Sequence, residues 1–138
     1  MLMEIQSPAE RTLTKLDFVR LTRLASLSKP AASGAIQAML EDCELVASAA
    51  VPETVITMYT QVLLQGNAGT EPYKVTLCYP DDAAPSQGFI SVLSPLGASL
   101  VGLRVGDVAQ WRTPLAQERT ARIVDVLFQP EASGEYTL

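Results

Sequence analysis

The 138-residue chain contains no histidine. That absence removes Ser-His-Asp hydrolysis, Cys-His nucleophilic catalysis and every zinc site built on imidazole. Cysteine is scarce too: Cys43 and Cys78 stand without CxxC spacing and are too few for a structural zinc site. In a reducing compartment they read as two core thiols. Basic residues number ten against fifteen acids, giving a formal net charge of -5 and a pI near 4.6. Sequence-independent binding to nucleic acid needs a clustered Lys/Arg surface, so no direct nucleic-acid contact is expected and a protein with a basic face fits better. No window approaches the ~20 apolar residues that cross a bilayer, and no membrane association is expected. Met1 to Glu10 carries acids and lacks a signal-peptide pattern, which points to the cytoplasm. Gly102 to Gly106 has neither the spacing nor the Lys-Ser/Thr of a phosphate-binding loop, so neither nucleotide hydrolysis nor a cofactor is implied.

What is there is an apolar fraction of 48%, enough for one modest core or for a smaller domain with an appendage. From Arg11 the pattern turns helical. Leu13, Leu16, Leu24 and Leu27 share one face among Arg11, Lys15, Arg20 and Arg23, while Phe18 and Leu21 fall off the stripe, as packing residues or as partner contacts. Ser26-Leu27-Ser28-Lys29-Pro30 breaks the helix, because proline has no amide hydrogen and restrains its predecessor. A second stripe follows at Ile36, Met39, Leu40, Cys43, Val46 and Ala47. Two amphipathic helices joined this closely are expected to form an antiparallel helical hairpin, a short coiled coil, over residues 1–51. Its tip is Ser28, Lys29 and Pro30, and no acid occurs from Ser26 to Ser33.

Pro52 opens a second unit, residues 52–138, in which strand signals dominate. Thr54 to Leu64 is β-branched, Gln65 to Thr70 is turn-like and Tyr73 to Tyr79 alternates, which together read as a hairpin. Pro80 to Gly88 is a loop holding Asp81, Asp82 and Ser86. Phe89 to Leu93 reads as a buried strand, after which Ser94 caps a helix with Pro95 in its first turn and Leu96, Leu100, Val101 and Leu103 keep helical spacing. Gly106-Asp107 turns the chain into a strand at Val108, Ala109 and Trp111, and Pro114 to Glu118 is another loop. Thr120 to Phe128 is apolar on both alternating sets, so it reads as a central strand covered on both faces. Five or so strands with one helix laid on them make an α+β domain.

Three segments carry a resemblance. Ile56-Thr57-Met58, the stretch Ile90 to Asp107, and Phe128-Gln129-Pro130-Glu131-Ala132-Ser133-Gly134-Glu135-Tyr136 are similar to the bacterial regulator of nucleoside diphosphate kinase family, which is related to the Gre transcript cleavage factors. The resemblance implies an FKBP-like antiparallel sheet domain with one helix behind the hairpin. It also implies a non-enzymatic transcription regulator that binds RNA polymerase near the secondary channel. Gre factors dock through the region around the Ser-Pro before their helix, which corresponds here to Ser94 and Pro95; Asp81, Asp82 and Ser86 in the preceding loop are expected to share that surface. Gre factors also present acids at the end of a long hairpin to help hold a catalytic magnesium. The tip Ser28-Lys29-Pro30 offers none. An arm of about 16 residues spans only ~24 Å, so stimulated transcript cleavage is expected to be absent.

Plainer readings stand beside these. Asp81-Asp82 is a weak cation site, a solvated turn pair or a face for a basic partner. Ser94 as a nucleophile falls for want of a base, leaving helix cap and partner contact, which are compatible. Trp111, the lone tryptophan, reads first as core packing. Two other functions stay open. An FKBP-like fold suggests prolyl isomerisation, which wants a deep aromatic pocket, whereas Tyr59, Tyr73, Tyr79, Phe89, Trp111, Phe128 and Tyr136 are spread over several strands. Control of nucleoside diphosphate kinase level through protein contact is the other, and the sequence supplies no mechanism for it.

Overall fold

The computed structural model describes residues 10–66 and 70–135. The expected lead-in at Met1 to Ala9, the middle of the turn at Asn67 to Gly69 and Tyr136 of the C-terminal segment lie outside the described residues. Among those described, the chain is α+β, with three α-helices, a two-stranded sheet and a five-stranded sheet.

The N-terminal part runs β1 (Arg11–Thr14), α1 (Lys15–Leu27), α2 (Pro30–Leu40) and β2 (Cys43–Val46). Thr14 makes the handover from strand to helix. Its backbone is extended, and its Oγ1 accepts the Asp17 N–H at 3.0 Å, satisfying one of the orphan amides of the first turn. The helix expected from Arg11 therefore starts four residues later. Losing Leu13 to β1 rotates the buried stripe, which is now Asp17, Leu21 and Ala25; Leu21 is fully buried and Leu27, placed on the sequence stripe, is 76% exposed. Pro30 starts α2 at a position where its missing N–H costs nothing. Ile36 and Met39 are buried as their spacing predicts, but Cys43 to Val46 leaves the helix and pairs parallel with β1, Arg11 opposite Cys43 and Thr14 opposite Val46.

The larger sheet has the order β5-β4-β3-β7-β6, built from β3 (Gln61–Gln65), β4 (Tyr73–Cys78), β5 (Phe89–Ser91), β6 (Val108–Arg112) and β7 (Glu118–Phe128). It departs from the expected all-antiparallel sheet at one edge, where β5 pairs parallel with β4. The strand expected from Thr54 shortens as well. Residues before Gln61 run irregularly, with an isolated bridge from Val55 to Arg104 and Tyr59 at φ 65°. β7 is covered on one face and not two: Ala121 and Ile123 are buried, while Arg122 and Asp125, pointing the other way, are exposed.

One apolar cluster joins the two parts of the chain. Leu13, Leu21 and Ile36 pack in the same core as Ile56, Leu64, Leu77, Leu100 and Ile123, each such side chain contributing roughly 1.5–3 kcal/mol on burial. α3 (Pro95–Leu100) lies on the sheet so closely that a Cβ on Gly97 would sit 2.0 Å from the Ser91 carbonyl oxygen. Polar bonds hold its far end. Arg11 Nη1 donates to the Ala98 and Val101 carbonyls at 3.0 and 2.8 Å, and Gly102, at φ 85°, exchanges backbone bonds with Thr12 and Ile56. A guanidinium on the orphan carbonyls at a helix end is the favourable arrangement for the backbone dipoles.

Candidate functional site

The first turn of α3, the ends of β5 and β6 and the loop before β5 converge on a groove of about 280 Å³. Pro85, Ile90, Pro95, Leu96, Trp111 and Pro114 give it an apolar lining, with Ala83, Ser91, Ser94 and Thr113 between them. Two of the sequence-predicted residues are therefore in it. Ser94 is occupied as a cap: its Oγ donates to the Ser91 carbonyl at 2.7 Å and accepts the Gly97 N–H at 3.1 Å. That hydroxyl fixes the chain direction at the groove floor, and Pro95 in the following position holds φ without needing a partner for an amide.

Asp81 and Asp82 lie beside the groove, in the short 3-10 turn Pro80–Asp82, both exposed. Asp82 accepts a hydrogen bond from the Tyr59 hydroxyl, which tethers the turn to the irregular segment before β3. Burial, and then this bond to a carboxylate, push the Tyr59 phenol up to about 12. Its ring leans on Tyr79, with centroids 5.8 Å apart. Ser86 is exposed in the next 3-10 turn, Pro85–Gln87; its neighbour Pro85 lines the groove and Ser86 does not. None of Ser28, Lys29 and Pro30 belongs to the lining. At that tip the Ser28 hydroxyl donates to the Leu24 carbonyl at 2.7 Å, and Lys29 and Pro30 are exposed.

Sequence reasoning missed five apolar walls of the groove: Pro85, Ile90, Leu96, Trp111 and Pro114. Trp111 is half-buried and also borders a more polar hollow with Tyr73 and Arg119. Its neighbours in the groove are drawn from segments running from Ala83 to Pro114, which no local pattern reveals. A signal existed only in its being a large aromatic next to a proline turn.

The resemblance-bearing segments meet away from the groove. Thr57 Oγ1 donates to Glu131 at 2.7 Å, Gln129 Nε2 donates to the Pro52 and Val55 carbonyls at 2.8 and 2.7 Å, and the Ile56 N–H reaches Leu103 at 2.8 Å. Beside them is a buried carboxylate that the sequence reading passed over. Asp17 Oδ2 accepts the Met58 N–H at 3.1 Å, and its pKa is raised to about 6, first by desolvation and further by Glu131, against the pull of that hydrogen bond and of Arg20. These contacts position the body around α3. A second hollow of about 380 Å³ opens beside them, walled by Glu53, Thr54, Val105, Phe128, Gln129 and Ser133 and more polar than the groove at Pro95, and no group of three or more His, Cys, Asp or Glu that could hold a metal occurs among the described residues.

Residues 51–128 match the family model described as transcription elongation factor, GreA/GreB, C-term. Over 131 residues the chain is 33% identical to the protein named regulator of nucleoside diphosphate kinase from Escherichia coli strain K12, spanning 91% of this chain and 95% of that one. A shorter stretch of 34 residues, 25% of this chain and 21% of the relative, is 59% identical to transcription elongation factor GreA of Solidesulfovibrio magneticus. Among solved structures, the prokaryotic transcription elongation factor GreA/GreB from Nitrosomonas europaea superposes with a TM-score of 0.74 at 32% identity, covering 87% of this chain and 99% of that one.

Proposed function

Since the chain belongs to the family of the GreA/GreB C-terminal domain, we propose that it is a transcription regulator that binds RNA polymerase near the secondary channel and does not stimulate transcript cleavage. The observation that carries this reading is the apolar groove at Ser94 and Pro95, at the surface where the Gre resemblance puts the contact. A concave apolar patch of this size suits one protruding side chain of a partner, and anchors of that kind supply most of an interface's free energy. Asp81 and Asp82 at its border favour a basic approach. In this reading residues 52–138 are the docking body, FKBP-like in outline, and residues 1–51 are an arm that occupies the channel rim in the cytoplasm.

The arm supports the second half of the proposal. α1 has 13 residues and so spans ~20 Å, and no acid lies in its tip from Ser26 to Ser33. Without carboxylates it has nothing with which to share a magnesium ion. A prolyl isomerase would need the groove to clamp proline among aromatic rings, and Trp111 is the one aromatic residue in the lining. Effects on nucleoside diphosphate kinase, the subject of the relative's name, would follow from transcription in this scheme.

The test is capture of core RNA polymerase by the tagged full chain, with a Gre factor as competitor. Pro95→Arg, which fills the groove with a charge, is expected to weaken capture at least tenfold, while Lys29→Ala leaves it unchanged. Full capture by a folded Pro95→Arg chain would rule out this face.

A further inference from the structure

The groove has a knob beside it. Leu115, next to the groove-lining Pro114, is 82% exposed, the most exposed large apolar side chain among the described residues. It is held out by a rigid turn. Thr113 N–H donates to the Gln117 carbonyl at 2.9 Å, Ala116 N–H donates to the Thr113 carbonyl at 2.8 Å, Gln117 N–H donates to Thr113 Oγ1 at 3.2 Å, and Ala116 is locked at φ 64°. A non-glycine residue in that conformation persists only where its surroundings over-determine it, and such strain gathers at places with a task. The turn thus presents Leu115 to solvent with little conformational freedom left to lose on contact.

A knob and a hollow side by side on one surface are what a two-fold contact between identical chains requires, since each copy must offer both halves of the fit. The charges agree with that arrangement. The loop wall of the groove is preceded by Asp81 and Asp82, whereas in the β6–β7 hairpin that carries Leu115 the Arg112 guanidinium is paired with Glu118 at 3.2 Å and Arg119 supplies the remaining positive charge. A two-fold contact through Leu115 would set Arg119 of each copy against the acidic loop of the other.

We propose that the occupant of this groove in the free protein is a second copy of the same chain, each copy inserting Leu115 between Pro95, Trp111 and Pro114 of its partner. The contact is small, so the dimer is weak and concentration-dependent. Its consequence rests on the polymerase-docking reading: a paired chain has its docking groove filled, and dissociation is the step that uncovers it.

Sedimentation of the full chain tests the pairing without polymerase. The expected result is a mass that climbs from 14.8 kDa towards twice that value as concentration rises. Leu115→Asp is expected to weaken association at least tenfold with an unchanged circular dichroism spectrum, because an exposed turn residue contributes nothing to the core. Trp111, the only tryptophan, reports the same event, its emission shifting blue on self-association in the wild type and not in the variant. A chain that stays monomeric throughout, or a dimer untouched by Leu115→Asp, overturns the proposal. Either polymerase result from Pro95→Arg is compatible with either sedimentation result, so the two readings fail separately.

Discussion

Gly34 in α2 and Gly97 in α3 occupy comparable places in two short helices and answer to different constraints. Nothing lies within 4 Å of where a Cβ on Gly34 would be, and the residue is exposed. A Cβ on Gly97 would meet the Ser91 carbonyl oxygen at 2.0 Å, its carbon at 2.8 Å and the Val92 Cα at 3.0 Å. α1 and α2 share the apolar core through Leu21, Ala25, Ile36 and Met39, with Arg11 bonded to the end of α3 and Asp17 to Met58, and Gly34 lies on the exposed face of α2 turned away from that core. The body is close-packed to the backbone, and the groove is a by-product of how tightly α3 is pressed onto β5. Tolerance in the one region and intolerance in the other follow from that difference.

Alanine at the two glycines sharpens the contrast most. Gly97→Ala must push α3 off the sheet, because the atoms it meets are backbone, and is expected to destabilise by about 3 kcal/mol or more and to open the groove. Gly34→Ala is expected to stabilise by up to about 1 kcal/mol, through helix propensity alone. Urea unfolding of both variants measures this. Equal destabilisation would mean that α2 is as confined as α3, and the distinction between arm and body would collapse.

The attachment itself is pH-sensitive. Asp17 has its pKa raised to about 6, chiefly by burial, against an ordinary value near 3.8. A raised folded-state pKa means that the protonated form is favoured on folding. The stabilisation it gives is complete below about pH 4 and is lost as pH climbs through about 6. Wild type is therefore expected to gain stability from this group on going from pH 7 to pH 5, on the order of 1 kcal/mol. Asp17→Asn keeps an acceptor for the Met58 N–H and should flatten that part of the pH profile, melting at or above the wild-type temperature at pH 7. An unaltered profile in the variant would show that Arg20 and solvent keep the carboxylate charged without penalty.

The same division explains what could be read from the chain. The start of α3 at Ser94-Pro95 follows from local rules, a hydroxyl cap and a proline in the first turn, and is where the sequence put it, but the helix ends at Leu100, so that Val101 and Leu103, which fit the helical spacing, lie beyond it. β1 and β2 were not legible. Leu13 and Cys43 fit a helical stripe as well as a strand, and what decides is a parallel pairing between segments 32 positions apart. β7 misled for a related reason: its apolar residues fall on both faces, yet only Ala121 and Ile123 are buried on one, leaving Leu127 and Phe128 substantially exposed. Trp111 was visible as a residue and invisible as a wall, since its neighbours in the groove come from three separate segments.

The smallest expected effect concerns the tip, where a carboxylate can be added without disturbing the arm. Lys29 sits at the N-cap of α2 in extended conformation, φ −65° and ψ 142°, with no side-chain bond to the helix amides. Asp at such a position accepts an N–H of the first turn and faces the positive end of the backbone dipoles, so Lys29→Asp is expected to stabilise by roughly 0.5–1 kcal/mol. It also gives the tip the acid it lacks. If reach limits the arm, the variant should melt slightly higher, bind polymerase as wild type does and leave stalled transcripts uncleaved. Cleavage appearing with this one substitution would place the tip at the catalytic magnesium after all, and would make missing chemistry, instead of missing length, the difference between this arm and a longer one.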